Sequence, residues 1–437
     1  MKKNLVGIKK YEDRTENIRN VLEVSGCLEK MQKLKPSDKV LLKPNLVMWD
    51  TRFPYPPFGA VTTSVVLEEV VKILKEIGCN NITIGEGATD NKDLNSNSKS
   101  AFEGMGLNKL QDRYGVKLVD FNDEEFINLR YNSHYELEVA KEAKETDFLI
   151  NLPVLKTHNL TKVTLGFKNY IGSISLASKM LSHHKSSPLE MLISFLGENL
   201  YADVTLLDGI YSMERGPSIF GKAYRTNVLI ASTDMFSADI VGAKALGYEP
   251  EEIEHLRKYA EKKGLSLKLD QVEIVGEPLE AVTVPLKWDW PWLENDGGPP
   301  IFERMGVENV RFPKFDDTVC AGCSGMVNIF MMMLLLSHQK TPLKDLEILT
   351  GKRMTSLGGY EKTLLYGDCM IEANKNNSFI NTPVEFKGCP PSIEETIQKF
   401  QEAGIAADIE DYRKYRQSLM DKFEGKVEFN EADFTIK

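Results

Sequence analysis

Two kinds of hydrophobic pattern alternate along the first 280 residues. Short apolar runs, typical of buried strands, stand between longer stretches in which apolar residues repeat at helical spacing. The predicted strands span residues 39–47, 81–84, 116–121, 147–152, 204–207, 228–232 and 272–275. The predicted helices span residues 16–34, 62–77, 100–114, 135–144, 189–201, 236–246 and 251–262. Strands and helices that alternate in this way form a mostly parallel sheet with helices on both faces, so the predicted fold class is α/β.

A second, shorter alternation begins after residue 315. It predicts strands at 346–349, 363–366 and 384–387, and helices at 326–337 and 393–400. The stretch between the two alternations is rich in Trp, Gly and Pro and has no period. We therefore expect four parts: an α/β domain (1–280), a junction (281–315), a smaller C-terminal α/β domain (316–404), and a C-terminal helix and tail (405–437).

Polar residues recur where the strands of the first domain end. Parallel strands bring their carboxyl ends to one edge of the sheet, where α/β proteins bind ligands. A glycine-punctuated segment, residues 155–172, adds further lysine, histidine and asparagine side chains. The candidate site residues are Lys43, Asn45, Glu86, Lys156, Thr157, His158, Lys168, Asn169 and Asp208.

These residue types suggest a site for a small anionic organic substrate, such as a carboxylate or phosphate. Lysines bind or polarise an anion, and a lysine with a lowered pKa acts as a general base. We assign catalytic roles to Lys156, His158 and Glu86, and substrate binding to the other six candidates. An alternative for Asp208 is that it only caps the next helix or turn.

The C-terminal domain contains four cysteines that suit one metal site. Cys320 and Cys323 form a C-x-x-C pair at the start of a predicted helix, whereas Cys369 and Cys389 each follow a predicted strand. Four thiolates suit a [4Fe-4S] cluster or zinc. Structural zinc sites usually use two close pairs, and only one pair is close here, which favours one [4Fe-4S] cluster. Zinc, and thiols without a metal, stay open as alternatives.

The composition of the chain limits the kinds of partner that we expect it to bind and the compartment in which we expect it to occur. The net charge of −10 argues against nucleic acid or an anionic membrane as the main partner. The first residues lack the apolar segment of a signal peptide, and six cysteines in 437 residues do not suggest a disulfide framework, so we expect a cytoplasmic protein. No G-x-G-x-x-G motif stands between a strand and a helix, which disfavours a dinucleotide cofactor.

Several stretches resemble known families. The Gly-Cys-Pro-Pro stretch that ends at residue 391 is similar to the cluster-binding segment in the small subunits of hydrogenases and in quinone oxidoreductases. The first 280 residues resemble the DUF362 family, prokaryotic α/β proteins without an established general activity, many of which have a ferredoxin-type iron–sulfur module. The matching stretches are residues 40–47, 82–86, 151–158, 166–169, 213–217 and 229–243. The compact, repeated cysteine motifs of such modules are absent here, so a second cluster is not expected.

The resemblance implies redox chemistry and an anaerobic setting. Together with the cysteines and the lysines, it leads to the expectation of an iron–sulfur oxidoreductase, or another iron–sulfur-dependent enzyme. A redox partner protein and a homo-oligomer are further expectations. Two alternatives stay open: an electron-transfer or maturation partner without catalysis of its own, and a zinc-stabilised hydrolase, isomerase or lyase.

Overall fold

An eight-stranded mixed sheet forms the centre of the first of two compact units. The structure is a computed structural model that describes residues 3–12, 14–181, 183 and 188–437. The first unit comprises residues 1–179, 189–288 and 423–437, and the second comprises residues 180–188 and 289–422. The strands of the large sheet are β1 (Asn4–Lys10), β2 (Lys39–Pro44), β3 (Asn81–Glu86), β4 (Lys117–Asp120), β7 (Phe148–Leu152), β10 (Val204–Glu214), β11 (Lys222–Ser232) and β12 (Val272–Gly276). Two short hairpins add β5 (Phe126–Arg130) with β6 (Glu136–Ala140), and β8 (Thr157–His158) with β9 (Lys162–Val163).

The sheet is mostly parallel, as the sequence predicts. Its strand order is β12-β1-β11-β10-β7-β2-β3-β4. Only β11 runs antiparallel to its neighbours, β1 and β10, and the other five pairs of neighbouring strands are parallel. The carboxyl ends of β2, β3 and β7 therefore lie side by side at one edge.

Each face of this sheet supports its own hydrophobic core. Side chains of a strand point alternately to opposite faces, and in β2 the side chains of Val40 and Leu42 pack into one core while Leu41 packs into the other. The helices of the first unit cover these faces. They are α1 (Arg14–Val24), α2 (Cys27–Met31), α3 (Ser64–Ile77), α4 (Ser98–Gly104), α5 (Asn108–Tyr114), α6 (Lys141–Lys144), α7 (Leu165–Asn169), α8 (Leu176–Leu181, at the boundary of the units), α9 (Leu189–Asn199), α10 (Met235–Ala245) and α11 (Glu254–Lys263).

The prediction of a helix over residues 135–144 is wrong for most of that stretch. Glu136–Ala140 is the strand β6, which pairs with β5, and only Lys141–Lys144 is helical. The side chains of Leu137 and Val139 are buried while Glu136 is exposed. This alternation has the period of a strand, and over five residues it is easily mistaken for half of a helical pattern.

The second unit contains a separate four-stranded parallel sheet. Its strands, in sheet order, are β13 (Glu308–Arg311), β14 (Lys344–Leu349), β15 (Lys362–Tyr366) and β16 (Pro383–Phe386). Its helices are α12 (Ile301–Arg304), α13 (Ala321–Ser337), α14 (Asp368–Asn374), α15 (Ile393–Glu402) and α16 (Ile409–Asp421). Strand β13 lies inside the stretch 281–315 that the sequence pattern suggests is a junction.

The last residues return to the first unit. Phe429 and Phe434 pack around Phe58 and Tyr211, with ring centroids 5.0–5.9 Å apart. Asp433 accepts a hydrogen bond from the Tyr211 hydroxyl at 2.8 Å and pairs with Arg225 at 2.7 Å. The final segment is thus part of the core of the first unit. In the described part of the chain, no helix is both long and apolar enough to cross a membrane.

Candidate functional site

A buried ion pair joins the ends of two neighbouring strands, β2 and β3. The ammonium of Lys43 donates to Oε1 of Glu86 and to the carbonyl of Pro44, both at 2.8 Å. Glu86 also accepts hydrogen bonds from the backbone N–H groups of Gly87 at 2.9 Å and Leu46 at 2.8 Å. Burial lowers the pKa of Lys43, and Glu86 opposes this shift. A charge-assisted pair with additional donors is the arrangement that a buried carboxylate requires.

Three asparagines connect this strand edge to helix α7. The amide nitrogen of Asn169 donates to the carbonyl of Lys43 at 3.0 Å and to Oδ1 of Asn151 at 2.8 Å. Asn45 donates in turn to Oδ1 of Asn169 at 3.0 Å. This chain of bonds fixes the orientation of all three amides. Among the described residues, Oδ1 of Asn45 has no hydrogen-bond partner although it is buried.

Lys156 is a lysine whose side chain is almost fully buried in the first unit. Its side chain is 1% exposed, and its ammonium donates to the carbonyl of Ala60. In the described part of the chain it has no carboxylate within ion-pair distance. Burial lowers the pKa of Lys156 to about 7; the positive charge of Lys168 acts in the same direction, whereas Glu86 opposes it.

Lys168, on helix α7, is half-buried, and no described side chain or carbonyl accepts a hydrogen bond from its ammonium. Loss of hydration lowers the pKa of Lys168 to about 8, while Glu190 raises it. This lysine therefore has free donors beside Lys156. An anion could accept hydrogen bonds from them without displacing a protein group.

Lys179 belongs to the same cluster, and sequence reasoning missed it. Its ammonium donates to the carbonyl of Gly87 at 2.8 Å. Burial lowers the pKa of Lys179 to about 8, with Glu86 raising it and Lys43 lowering it. The feature of the sequence that could have identified Lys179 is its position as a charged residue within the mostly apolar helix α8. We call Lys43, Lys156, Lys168 and Lys179, together with Glu86, the lysine cluster.

Thr157 and Asp208, two other predicted binding residues, have their polar atoms engaged within the protein. The hydroxyl of Thr157 donates to the carbonyl of Met213 at 3.0 Å and accepts from the backbone of Arg215 at 2.8 Å. Oδ2 of Asp208 accepts from the backbone and hydroxyl of Thr63, at 2.7 and 2.8 Å, where Thr63 caps helix α3. These contacts hold the hairpin β10–β11 and α3 in place.

His158 and Asp239 occupy different parts of the region. His158 is half-buried on the small strand β8, and its Nδ1 accepts from the backbone of Leu160 at 3.1 Å. Asp239, which sequence reasoning did not choose for the site, accepts from the backbone of Gly166 at 2.7 Å and Phe167 at 3.0 Å. Burial raises the pKa of Asp239 to about 7. Asp239 therefore anchors the start of α7, the helix that contains Lys168 and Asn169.

The loops that contain the four C-terminal cysteines are neighbours in the second unit. Cys320 precedes α13, and Cys323 lies in its first turn. Cys369 lies in the first turn of α14 directly after β15, and Cys389 follows β16. The backbone of Asp368 donates to the carbonyl of Gly388 at 3.1 Å, which joins the last two loops.

Two glycines show how closely these loops approach. A side-chain carbon at Gly367 would lie 4.0 Å from Sγ of Cys323, and one at Gly322 would lie 3.6 Å from the ring of Pro390. Cys320 is buried, Cys323 is half-buried, and Cys369 and Cys389 are exposed. Across the described residues, no three or more His, Cys, Asp or Glu side chains are grouped so as to hold a metal ion.

The first two thiols interact directly. A hydrogen bond from Cys323 lowers the pKa of Cys320 to about 5, with help from the backbone N–H groups of Cys323 and Gly322. The same bond, burial and the neighbouring thiols raise the pKa of Cys323; Cys369 and Cys389 are among those neighbours. Cys320 is therefore the thiol most inclined to ionise, because the Cys323 thiol and two backbone N–H groups donate to its sulfur.

The fold and the site define an α/β protein with a cationic cluster at the strand ends of its main sheet. Residues 40–244 match the family model for DUF362, described as a domain of unknown function. The resemblance in the sequence is thus confirmed. All of the predicted first-domain site residues, Lys43 to Asp208, fall within the matched stretch.

Two known proteins show partial similarity. A thylakoid-associated protein of Synechocystis sp. is 27% identical over 239 residues, which cover 54% of this chain and 70% of that protein. The structure of the lactate racemase apoprotein from Thermoanaerobacterium thermosaccharolyticum matches with a TM-score of 0.33 and 12% identity, over 58% of each chain. The chain thus spans little more than half of that structure.

Proposed function

We propose that this protein is an iron–sulfur-dependent enzyme, most simply an oxidoreductase, that acts on a small anionic organic substrate. The lysine cluster of the first unit would bind the substrate, and one [4Fe-4S] cluster would be held in the second unit. The observation on which the proposal rests is the excess of positive charge at the strand ends. Lys43, Lys156 and Lys179 all interact electrostatically with the buried carboxylate of Glu86, and Lys168 adds a further positive charge near Lys156.

Charge balance supports an anionic ligand. Buried charges in proteins are paired, because an isolated buried ion costs several kcal/mol. Glu86 compensates Lys43 directly, at 2.8 Å, but Lys156 and Lys168 have no carboxylate at ion-pair distance among the described residues. A carboxylate or phosphate bound at Lys168 would supply the missing negative charge.

Proton transfer is available within the same site. With a pKa of about 7, Lys156 is a mixture of amine and ammonium at neutral pH, which suits a general base or acid. His158 and Glu86 remain the other proposed proton carriers. Asn45 adds a buried acceptor without a partner in the described structure, which could receive a hydrogen bond from a ligand hydroxyl.

The loops that contain the four cysteines support the proposal that the second unit holds a [4Fe-4S] cluster. Cys320, Cys323, Cys369 and Cys389 would each bind one iron atom, and the cluster would supply electron transfer. A cubane holds its thiolates further apart than one zinc ion does, because each thiolate binds a different iron. Four thiols on three adjacent loops fit that requirement, and α13 directs its N-terminus toward the pair Cys320 and Cys323.

Location and partners complete the proposal. A cytoplasmic protein in an anaerobic setting, which exchanges electrons with a partner protein and assembles with copies of itself, is consistent with the composition. No nucleic acid or membrane is part of the proposal, because the net charge is −10. The alternatives are an electron-transfer or maturation partner without catalysis, and a non-redox enzyme stabilised by zinc.

The proposal that the lysine cluster binds an anionic substrate is tested by thermal unfolding in the presence of a panel of small anions. Inorganic phosphate and two- to four-carbon carboxylates are compared at matched ionic strength, with Lys168→Met and, as a control, Lys33→Met. Lys33 is an exposed lysine whose ammonium pairs with Glu29. A ligand at hundredfold excess over its Kd stabilises by about 2.7 kcal/mol, or several degrees in Tm.

We expect at least one anion to raise the Tm of the wild type and of Lys33→Met but not that of Lys168→Met. A panel without any stabilising anion would contradict the proposal. So would an equal response in Lys168→Met, because the stabilisation would then arise elsewhere on the protein.

A further inference from the structure

Lys156 differs from the other buried lysine at the strand edge in its partners. The side-chain nitrogen of Lys43 donates to Oε1 of Glu86 at 2.8 Å. Lys156 is equally inaccessible, yet within the described part of the chain its nitrogen contacts only one acceptor, the neutral carbonyl of Ala60. In its neutral form the amine donates one hydrogen to this carbonyl and keeps its lone pair for attack on an electrophile.

The surroundings of Lys156 favour its neutral form. Burial penalises the ammonium, and Lys168 places a second positive charge nearby, so the pKa of Lys156 is lowered to about 7. A desolvated lysine beside another cation is the arrangement that turns a side-chain amine into a nucleophile toward carbonyl groups. Lys168 has free donors in the described structure and is suited to hold a carboxylate next to that amine.

We propose that Lys156 forms a Schiff base with the carbonyl carbon of a 2-oxo acid whose carboxylate is bound by Lys168. This inference rests on the proposed function and narrows its substrate class. The neutral amine attacks the carbonyl carbon, and a proton moves from nitrogen to oxygen to give a carbinolamine. Loss of water then gives the imine, so the step needs no oxidant or reductant.

A 2-oxo acid fits this pair of lysines because its carbonyl and carboxylate are bonded to each other. The imine withdraws electrons from the adjacent carbon, which prepares the substrate for proton removal or for loss of carbon dioxide. Either outcome is compatible with an anionic organic substrate.

Borohydride trapping tests the proposal. The full-length protein is incubated with pyruvate or with glyoxylate, then treated with sodium borohydride, which reduces an imine to a stable secondary amine. Intact mass counts the adducts, and peptide mapping of the wild type locates them without any variant. We expect one adduct per chain, located on Lys156.

Three variants make the result specific. Lys156→Met should lose the adduct, whereas Lys33→Met, altered at an exposed lysine, should form it as the wild type does. In Lys168→Met the pKa of Lys156 should rise, because a neighbouring positive charge is removed. Trapping in that variant should therefore be several-fold slower at pH 7 than in the wild type, and the difference should shrink at pH 9.

Three results would overturn the Schiff base. They are the absence of any adduct, adducts spread over exposed lysines, and an adduct that persists in Lys156→Met. The anion panel separates these results from failure of the proposed function. If a carboxylate still stabilises the wild type through Lys168 while trapping fails, the anion site stands and Lys156 acts only as a base.

Discussion

Lys43 and Lys156 show two ways in which a fold accommodates a buried lysine. The carboxylate of Glu86 raises the pKa of Lys43 against the lowering effect of burial, because the two buried groups share a hydrogen bond of 2.8 Å. Lys156 has no such hydrogen-bonded partner in the described structure, and its pKa is lowered to about 7. The first residue is suited to hold the site together, and the second is suited to chemistry.

The altered pKa of Lys156 makes stability depend on pH. Between pH 7 and the ordinary lysine value of 10.5, the unfolded chain binds a proton at this position and the folded chain does not. The free energy of unfolding therefore rises with pH in this window and is lowest below pH 7. From pH 7 to 9.5 we expect a gain of about 3 kcal/mol.

Urea unfolding at several pH values measures this gain. Because other groups titrate in the same range, the informative quantity is the difference between wild type and Lys156→Met. That difference should change by about 3 kcal/mol in favour of the wild type as the pH rises. A difference that does not depend on pH would show that Lys156 stays charged in the folded protein.

At this scale the sequence pattern correctly places some residues at the ends of strands, but it gives no indication of residues that reach the same place from elsewhere in the chain. Lys43, Asn45 and Glu86 follow directly from the ends of β2 and β3, since parallel strands align their carboxyl ends. Lys179 reaches the same place from a short helix after an irregular segment. Its position depends on tertiary packing, which the local pattern of hydrophobic and polar residues does not predict.

At the scale of elements, the segment from α7 to the following 3-10 turn (Tyr170–Ser173) covers the strand ends. Asn169 ties this segment to β2, and the carbonyl of Gly172 accepts from the backbone of Gly87 at 2.8 Å. A side-chain carbon at Gly172 would clash with Oε1 of Glu86 and lie 2.9 Å from the ammonium of Lys43. The segment approaches the ion pair this closely because residue 172 has no side chain.

Gly172→Ala should therefore disrupt the Lys43–Glu86 pair. Both partners are buried and cannot move away, so we expect a loss of about 3 kcal/mol or more, in the range found for broken buried ion pairs. Thermal unfolding and anion binding both report the effect. The matched control is Gly325→Ala in α13, where an added carbon meets no atom within 4 Å.

The control should leave stability unchanged or raise it by roughly 0.5–1 kcal/mol, because alanine favours a helix more than glycine does. If Gly172→Ala unfolds at the wild-type temperature and still binds the anion, the close approach of this segment has no role in the site.

Most elements of the first unit are visible in the hydrophobic pattern, and two features are not. The sequence pattern predicts a helix where the strand β6 lies. Five residues are too few to distinguish the two-residue repeat of a strand from the 3.6-residue repeat of a helix. The strands β10 and β11 each extend to 11 residues and pair antiparallel, well beyond the predicted 204–207 and 228–232. Polar residues such as Asp208 and Arg225 interrupt their apolar runs, and only tertiary partners such as Thr63 and Asp433 explain why they are tolerated there.

At the scale of the whole molecule, the lysine cluster and the four C-terminal cysteines lie in different units. The first unit places cationic side chains at the ends of a mostly parallel sheet, and the second places four thiols at the ends of another parallel sheet. The helix near Cys323 and the strands before Cys369 and Cys389 were predictable from the local pattern, whereas helix α14, which contains Cys369, was not predicted.

The measurement that tests the central claim most directly is the metal and sulfide content of protein purified without oxygen, with its visible spectrum. Wild type is compared with Cys369→Ala and with Cys79→Ala, which removes a buried cysteine of the first unit. The account predicts a brown protein with about four iron and four sulfide per chain in the wild type and in Cys79→Ala, and loss of both in Cys369→Ala. Colourless protein with one zinc per chain, or full iron content in Cys369→Ala, would contradict it.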